Sequence, residues 1–355
     1  EVAIDYDAAS GELAVDITQV QQIDERTPAF RFELPIHVEL ANRSGGTTYM
    51  VPVSTRETTF RRVLDGAPRV VSIDPELHVL KTIEVTKPWG LWRNQALAGP
   101  TIAARHEAVD ALGTRDTAGH RELLHSIATN PDERYTLRNS AVAALRALGS
   151  PAAQDRLLDL HADGIAHPRV RVNVVRAMRD MDADRVVDHL AEVAEQDRSY
   201  AVKAAAIAEL ARHEAVEHAD LIAELVHVPS QHDQVRNAAL RALRDLEDPR
   251  ALEFAMQYAA YGYMDRSRPT AIGVIGERGY EQPDVAFEYL VDLLDDHEPR
   301  SVRAAGSALA ELADERARRH LETIAESHRD PAMQERFRRY LERLDRNLED
   351  ADERE

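Results

Sequence analysis

The chain contains no cysteine, and this absence excludes disulfide bonds, thiolate nucleophiles and cysteine-based metal sites together. Lysine is almost as scarce, because only Lys81, Lys87 and Lys203 accompany a much larger number of arginines. Acidic residues outnumber basic ones by 63 to 44, which gives a net charge of −19. Because proteins bind nucleic acids and anionic membranes through basic side chains, we expect no nucleic acid and no membrane among the partners.

Long apolar runs are also missing, since no stretch approaches the roughly 18 residues that cross a membrane. The first residue is not methionine, and residues 2–6 (VAIDY) already follow a strand-like pattern. We therefore expect the sequence to be cut from a longer protein, with any signal peptide lying upstream. The compartment is not readable from the residues, and a cytoplasmic location is favoured. The acidic, arginine-rich composition is typical of a high-GC or a salt-adapted source.

The two parts of the chain follow different hydrophobic periods. Residues 11–21 (GELAVDITQVQ) and 30–40 (FRFELPIHVEL) alternate apolar and polar side chains, and short strand-like runs separated by turns follow them. This pattern predicts an antiparallel β-sandwich domain over residues 1–85. Pro35 lies inside a strand pattern, which predicts an edge strand or a bulge at that position.

From residue 86 the pattern is helical and repeats. A basic residue near the start of every second helix recurs in steps of 32 to 35 residues, at Arg105, Arg138, Arg171, Lys203, Arg236, Arg268, Arg303 and Arg336. A fixed period of this size is the signature of a solenoid of helix pairs. Segments such as VRNAALRAL (235–243) resemble the HEAT-repeat family. We predict a two-domain chain, β then all-α, in which residues 86–355 form about eight HEAT-like helix pairs.

Several repeats place an aspartate six residues before the basic residue. In HEAT arrays, to which the chain is similar, such pairs form hydrogen-bonded ladders between repeats, because the aspartate caps a helix and arginine binds carboxylates in two places. The alternative is a set of unrelated surface ions. The residues predicted to form this structural ladder are Asp132 with Arg138, Asp197 with Lys203, and Asp330 with Arg336.

The residues that most resemble a catalytic motif are His213 and His218, which flank two glutamates in the segment HEAVEH (213–218). A zinc-binding HExxH helix needs its histidines four residues apart, on one face. Here they are five apart and diverge by about 140° on a helix. Phosphate-binding glycine loops and nucleophile elbows are also missing from the sequence. We therefore assign no catalytic residue, no cofactor-binding residue and no metal ligand within this chain.

Aromatic residues are few, yet several fall together in the sixth and seventh repeats. Tyrosine and arginine are the residues most enriched in binding hot spots. The candidate peptide- or partner-binding residues are Tyr258, Tyr261, Tyr263, Arg266 and Arg268. The other interpretation, which we favour, is that the rings fill volume left by nearby glycines or mark a kink between repeats.

Four segments together resemble the region that follows the catalytic domain in the aminopeptidase N family of zinc metallopeptidases. They are residues 16–22 (DITQVQQ), 27–36 (TPAFRFELPI), 71–75 (VSIDP) and 92–97 (WRNQAL). In that family a small β-sandwich with a Q-x-Q … P-x-F-x-F-P-L run precedes a helical C-terminal domain, which is HEAT-like in some prokaryotic members. The resemblance covers essentially the whole chain.

The resemblance implies that this chain packs on its own catalytic domain, lying before residue 1, and limits which peptide substrates enter the active site. Neither the family's zinc-binding HExxH constellation nor its G-x-M-E-N strand occurs here, so no catalytic residue is carried over. Zinc is accordingly expected in the upstream domain alone. The alternative function is a HEAT-repeat scaffold that binds other proteins, since a solenoid offers an extended concave surface.

Overall fold

The computed structural model describes residues 1–162, 164–263 and 266–352. In these residues, seven strands are followed by sixteen α-helices, which confirms the predicted order, β then all-α. The strands are β1 (Val2–Asp7), β2 (Glu12–Thr18), β3 (Phe32–Leu40), β4 (Gly46–Val53), β5 (Glu57–Val63), β6 (Pro68–Ile73) and β7 (Val85–Thr86).

The helices form eight consecutive pairs, as the repeat pattern predicts. They are α1 (Trp89–Ala98), α2 (Ile102–Leu112), α3 (Ala118–Thr129), α4 (Tyr135–Leu148), α5 (Pro151–Ala162), α6 (Pro168–Ala177), α7 (Ala183–Gln196), α8 (Tyr200–Arg212), α9 (Ala219–Leu225), α10 (Gln234–Asp245), α11 (Ala251–Ala259), α12 (Arg268–Arg278), α13 (Pro283–Asp292), α14 (Pro299–Glu311), α15 (Arg318–Ser327) and α16 (Pro331–Asp352). The chain divides into two compact units, Glu1–Ala177 and Met178–Glu355. Whether residues 1–85 are a domain of their own stays a prediction.

The strands form two sheets that enclose one core. A four-stranded sheet has the order β5-β2-β1-β7, and a three-stranded sheet has the order β4-β3-β6. All pairings are antiparallel except that of β1 with β7, which is parallel. Alternate residues of both sheets, such as Val15 and Ile36, are fully buried in a single cluster. This arrangement is the predicted sandwich, with one short parallel pairing added.

Pro35 lies in the central strand of its sheet, not at an edge. It pairs with Met50 on β4, and its carbonyl accepts a hydrogen bond from the backbone N–H of Asp74 at 2.7 Å. The pairing of β3 with β6 begins one residue later, at Ile36. A proline is tolerated here because the backbone N–H that it lacks would point past the end of β6. The expectation of an edge strand or a bulge at Pro35 was therefore wrong, since β3 is central and the register shift lies between Glu39 and Leu40.

The helix pairs stack in sequence order within each unit. In Glu1–Ala177 the second helices α2, α4 and α6 pack against each other in turn, and α1 also packs on β6 of the sandwich. In Met178–Glu355 the second helices α8, α10, α12, α14 and α16 pack in the same way. Each unit therefore has the stacking expected of a solenoid.

Several second helices end in a residue with left-handed backbone. Gly149 follows α4 with a φ of 66°, as is common at helix C-termini. The corresponding residues after α8, α10 and α14 are Glu214, Glu247 and Ala313, with φ values of 54°, 55° and 54°. Side chains with a Cβ rarely adopt this conformation, so these three positions carry backbone strain.

Candidate functional site

Tyr258, the first member of the predicted aromatic cluster, is buried. Its hydroxyl lies 2.7 Å from Nδ1 of His227, and its ring contacts that of Tyr263 edge-on, with 4.9 Å between the centroids. The guanidinium of Arg236 lies 4.3 Å from its ring centroid, within the range of a cation–π contact. Tyr258 thus joins the fifth and sixth helix pairs and packs as a core residue.

Arg268 is also buried, with only 1% of its surface exposed. Its Nε donates to the carbonyl of Ala259 at 2.8 Å, and its two terminal nitrogens donate to the carboxylate of Asp296 at 3.2 and 2.5 Å. This paired guanidinium lowers the pKa of Asp296. All the polar contacts of Arg268 are therefore internal, and a binding partner would not reach it directly.

The remaining members of the cluster face solvent. Tyr261 is 80% exposed, Tyr263 is about half as exposed, and Arg266 is exposed as well. They lie on the loop that leads into α12, where Gly262 adopts a φ of 101° that suits glycine. The structure therefore splits the predicted cluster into a buried packing pair and an exposed loop. A binding role for the exposed loop stays a prediction.

The repeated basic residues share one structural role in the first six pairs. All but Arg171 donate a hydrogen bond to a carbonyl at or next to the end of the first helix of their own pair, where the last carbonyls lack helical partners. Arg171 donates instead to a loop carbonyl three residues beyond α5. The bonds run from Arg105 to Ala96 (2.9 Å), Arg138 to Ala128 (2.7 Å), Arg171 to Ile165 (3.0 Å), Lys203 to Glu195, Arg236 to Val226 (3.0 Å) and Arg268 to Ala259 (2.8 Å). We call these bonds the carbonyl clamps.

The last two pairs depart from the alignment made on the sequence. When the buried residues of α10 are aligned with those of α14, Arg236 corresponds to Val302 and not to Arg303. Val302 therefore occupies the position that forms a carbonyl clamp in the earlier pairs. In α16 the side chain of Gln334 donates to the carbonyl of His328 at 2.8 Å, while Arg336 is exposed. Arg303 is thereby displaced by one residue around α14, which turns it toward a different face of the helix.

The aspartates of the predicted ladder lie at turns. Asp132 is exposed, Oδ1 of Asp197 accepts the backbone N–H of Ser199 at 2.7 Å, and Oδ1 of Asp330 accepts that of Ala332 at 2.9 Å. These last two contacts support the starts of α8 and α16. A ladder role for these residues and for their basic partners stays a prediction.

Ion pairs between adjacent helix pairs do occur, at other positions. They join residues 28 to 33 apart: Arg105 to Glu133, Arg179 to Glu209 (2.9 Å), Arg250 to Asp220 (2.7 Å), Arg268 to Asp296 (2.5 Å), Arg244 to Glu277 (3.0 Å) and Arg316 to Asp284 (2.9 Å). The sequence spacing of six residues did not find these partners, because it looked for acids within one repeat.

A buried polar network joins the sandwich to the first helix pair. Nζ of Lys87 donates to the carbonyl of Val71 at 2.7 Å and to Oε1 of Gln95 at 2.5 Å, and it lies 3.8 Å from the ring centroid of Trp92. Nε2 of Gln95 donates in turn to Oε2 of Glu107 at 2.9 Å. Burial lowers the pKa of Lys87 to about 7, although the nearby Glu107 charge opposes this shift. Burial likewise raises the pKa of Glu107.

The histidines singled out in the sequence lie apart from any metal-binding arrangement. His213 caps the end of α8, and Nε2 of His218 lies 3.4 Å from Oδ1 of Asp188. Among the residues that the structure describes, no group of three or more histidines, cysteines, aspartates and glutamates is placed to hold a metal ion. Within the same described residues, every helix is too short or too polar to cross a membrane.

A groove that sequence reasoning missed crosses three second helices of the last pairs. It has a volume of about 420 Å³ and is lined by Pro269, Gly273, Glu277, Arg303, Ala304, Ser307, Ala308, Glu311, Tyr340 and Arg343, from α12, α14 and α16. Its only signal in the sequence is a set of small residues at helical spacing, which is equally typical of close helix packing.

One known family matches part of the chain. The family described as HEAT repeats matches residues 91–179. Residues 91–179 therefore carry HEAT repeats, and the eight helix pairs make the chain a HEAT-like scaffold. No curated protein matches the chain.

Several solved structures resemble the chain at low identity. Aminopeptidase A of Legionella pneumophila, in complex with aspartic acid, is 10% identical with a TM-score of 0.45, and the match covers 96% of this chain and 48% of that one. The chain thus spans about half the length of this aminopeptidase. The Escherichia coli protein YibA is 15% identical over 68% of this chain and 96% of its own, with a TM-score of 0.46. Human deoxyhypusine hydroxylase, in complex with glycerol, is 16% identical over 73% and 96%, with a TM-score of 0.33. Similarities this weak do not indicate a function for this chain.

Proposed function

We propose that this chain is the non-catalytic C-terminal region of an aminopeptidase N-like zinc metallopeptidase. In that role it packs on the catalytic domain and shapes the access of peptides to the active site. The described residues offer no set of zinc ligands, so the proposal assigns zinc and all reacting groups to the upstream domain. The order of the parts, a β-sandwich followed by HEAT-like helix pairs, is the order that the sequence resemblance implies.

The observation that carries the proposal is that residues of the resembling motifs are joined in the fold. Gln19, from the Q-x-Q run, is buried, and its side-chain amide bonds both backbone groups of Phe30, from the P-x-F-x-F run, at 2.9 Å each. Gln21 of the same run donates to Oε1 of Gln19 at 2.9 Å. These bonds join the two parts of the motif, and they support the resemblance on which the proposal depends.

The second motif, at Asp74 and Pro75, has an equally definite role. The buried carboxylate of Asp74 accepts backbone N–H bonds from His78 and Val79 at 2.9 and 3.0 Å, and it pairs with Lys81. The hydroxyl of Thr101, at the start of α2, donates to the carbonyl of Pro75 at 2.6 Å. These bonds fix the path of the chain from the sandwich into the first helices, which supports the proposed order of the two parts.

Gln19 also fixes the backbone of an exposed aromatic residue. Phe30 is 57% exposed, and Val20 beside Gln19 in the chain is similarly exposed. Aromatic side chains are enriched at protein–protein interfaces. We assign Phe30, together with Val20, to the contact with the catalytic domain.

The natural full-length protein tests the proposal directly. We expect it to contain zinc and to release amino-terminal residues from peptides, with rates that depend on peptide length. Zinc-free protein without aminopeptidase activity would refute the assignment. In the active protein, Phe30→Ser should loosen the contact and change the dependence on peptide length. Val63→Ser, an exposed valine on β5, serves as the control and should leave that dependence unchanged.

The exposed loop before α12 favours a second function, protein binding by the HEAT-like scaffold. Tyr261, Tyr263 and Arg266 are of the types enriched in hot spots, and all three are accessible. If this loop binds a partner or a peptide, the Tyr261→Ala and Tyr263→Ala variants should weaken that binding. Tyr280→Ala, which removes another exposed tyrosine, should not. Equal affinity in all three stable variants would remove the loop from consideration.

A further inference from the structure

Strand β5 lies at the edge of its sheet, since it pairs with β2 alone among the strands that the structure describes. Just before β5, the carbonyl of Arg56 accepts the N–H of Gln19 at 2.8 Å. Just after β5, the N–H of Leu64 donates to the carbonyl of Gly11 at 2.9 Å. Bonded pairs recur at every second residue of an antiparallel ladder. The residues of β5 therefore turn their backbone groups alternately toward β2 and toward the free edge.

The residues of β5 that turn their backbone groups to the free edge are Glu57, Thr59, Arg61 and Val63. The side chains of all four are exposed. The strand contains no proline, glycine or bulge, which are features that commonly protect an edge strand from further pairing. Within the described residues, the free-edge groups of Thr59 and Arg61 have no backbone partner. The edge of β5 is therefore open to another strand.

The surroundings of this edge are neutral, although the chain as a whole carries a net charge of −19. Strands β2 and β5 and the residue before β5 bring together three arginines and three acids, which are Arg56, Arg61, Arg62, Glu12, Asp16 and Glu57. Salt of about 0.15 M screens charges that lie more than about 8 Å apart. Two copies of the chain can therefore approach each other at this edge without the repulsion that their net charge creates elsewhere.

The charges of β5 are self-complementary about Thr59. Glu57 and Arg61 lie two residues to either side of it. When two copies of β5 run antiparallel with Thr59 opposite Thr59, Glu57 of each copy lies opposite Arg61 of the other. Opposite charges in facing positions stabilise an antiparallel pair, and each of these facing pairs exchanges two backbone hydrogen bonds. Arg56 precedes the strand, so the ladder ends before Arg56 would meet Arg62 of the other copy.

We propose that two copies of this chain associate through their β5 strands in this antiparallel register. The association joins two four-stranded sheets into one continuous sheet, with Thr59 at the two-fold axis. A second copy is favoured over an unrelated extended peptide because β5 supplies both halves of the charge pattern itself. The proposal does not depend on the peptidase assignment, since the edge belongs entirely to this chain.

Sedimentation velocity of the 355-residue chain, in salt of about 0.15 M, tests the proposal. We expect a dimer whose fraction rises with protein concentration. Thr59→Pro removes a donor from the free edge and keeps the pairing with β2, and proline is tolerated at such edge positions. The dissociation constant should rise by roughly tenfold or more in this variant. A parent chain that stays monomeric up to about 1 mM, or an unchanged constant in Thr59→Pro, would overturn the proposal.

Thr48→Pro, on the edge strand β4 of the other sheet, is the matched control. Because Pro35 faces β6 through its carbonyl, His37 faces β6 as well, and its partner Thr48 turns its N–H to the free edge of β4. Both threonines are exposed, and their hydroxyls contact a neighbouring strand, at Asp16 (2.6 Å) for Thr59 and at His37 (3.1 Å) for Thr48. Thr48→Pro should keep the dimer. Equal weakening by the two prolines would remove β5 as the contact.

Two charge variants test the register. Glu57→Arg places an arginine opposite Arg61 of the other copy, and Arg61→Glu places a glutamate opposite Glu57, so each variant alone should dimerise at least roughly fivefold more weakly. Mixed in equal amounts, they restore opposite charges at both positions and should form a heterodimer. These exposed substitutions also decide the question if Thr59→Pro unfolds the sandwich. A mixture that associates no more tightly than either variant alone would refute the proposal.

Discussion

Arginine side chains in this chain serve different purposes according to burial. Those at the carbonyl clamps satisfy helix ends, and Arg268 adds a paired carboxylate to that role. Arg266, two residues earlier, is exposed and lies on the loop that the structure leaves open to partners. A difference of two positions thus separates an arginine that holds the fold together from one that is available for binding.

The Arg268→Met variant should be strongly destabilised. Without the guanidinium, Asp296 stays buried without its partner, and such a loss costs about 3–5 kcal/mol of the free energy of unfolding. Arg266→Met changes an exposed arginine and should leave stability nearly unchanged. Urea unfolding followed by circular dichroism measures both. Similar midpoints for the two variants would contradict the structural role of Arg268.

Lys87 should make stability depend on pH. In the folded chain burial lowers its pKa from 10.5 to about 7, so the unfolded chain binds an extra proton between these values. Stability should therefore rise with pH across this window, by about 1.4 kcal/mol per pH unit from this group. In Lys87→Met that rise should disappear, although the variant is less stable because the carbonyl of Val71 loses its donor. Urea midpoints at several pH values between 7.5 and 9.5 give the comparison, and equal slopes would contradict the low pKa.

At the scale of elements, the approach of α12 to α14 is set by one glycine. A Cβ on Gly276 would lie 2.7 Å from Cα and 2.9 Å from the carbonyl oxygen of Ala308, which is too close for either backbone to accommodate. Gly273 on the same helix meets nothing within 4 Å. The two glycines are one turn apart, yet one sets a helix contact and the other leaves a groove open.

This pair of glycines gives a matched test. Gly276→Ala should destabilise the chain by about 1–2 kcal/mol, because the cost of overpacking exceeds the gain in helix propensity. Gly273→Ala should stabilise it by about 0.5–1 kcal/mol, because only the propensity changes. Thermal unfolding of the two variants beside the parent protein measures both. Shifts of the same sign would show that the helices are not in the close contact described.

The elements themselves were largely predictable from the sequence, because alternation and a period near 33 residues are direct consequences of which faces are buried. Which members of the aromatic cluster are buried and which are exposed was not predictable, since it depends on packing between neighbouring pairs. The groove was missed for a related reason. The repeat alignment assigned Arg303 to a position that Val302 occupies, so its place in the groove did not follow from the repeat pattern.

At the scale of the whole molecule, charge is the dominant feature. Because the net charge is −19, the excess acidic side chains repel one another in the folded chain, and salt screens this repulsion. Many of the ion pairs are exposed, and exposed pairs contribute little. Salt should therefore weaken the repulsion among acidic residues more than it weakens the ion pairs, so we expect the chain to be more stable in salt than in dilute buffer.

We expect the urea midpoint to rise steadily as sodium chloride increases from about 0.05 M to about 1 M, where the screening length falls to about 3 Å. A variant that neutralises four exposed acids should gain less from the same salt. The substitutions are Asp5→Asn, Glu33→Gln, Glu322→Gln and Glu326→Gln, at side chains without a close cation among the residues that the structure describes. A midpoint that falls with salt, or equal gains in both proteins, would show that the ion pairs outweigh the net charge.

The left-handed residues that end three second helices have a practical consequence. Glu214, Glu247 and Ala313 occupy the position that Gly149 holds after α4, so the chain itself shows which residue relieves the strained backbone. Replacing the three with glycine should relax each of them by up to about 1 kcal/mol. Protein engineers could thereby raise the heat resistance of this scaffold by editing only the turns, leaving every buried side chain and the groove as they are.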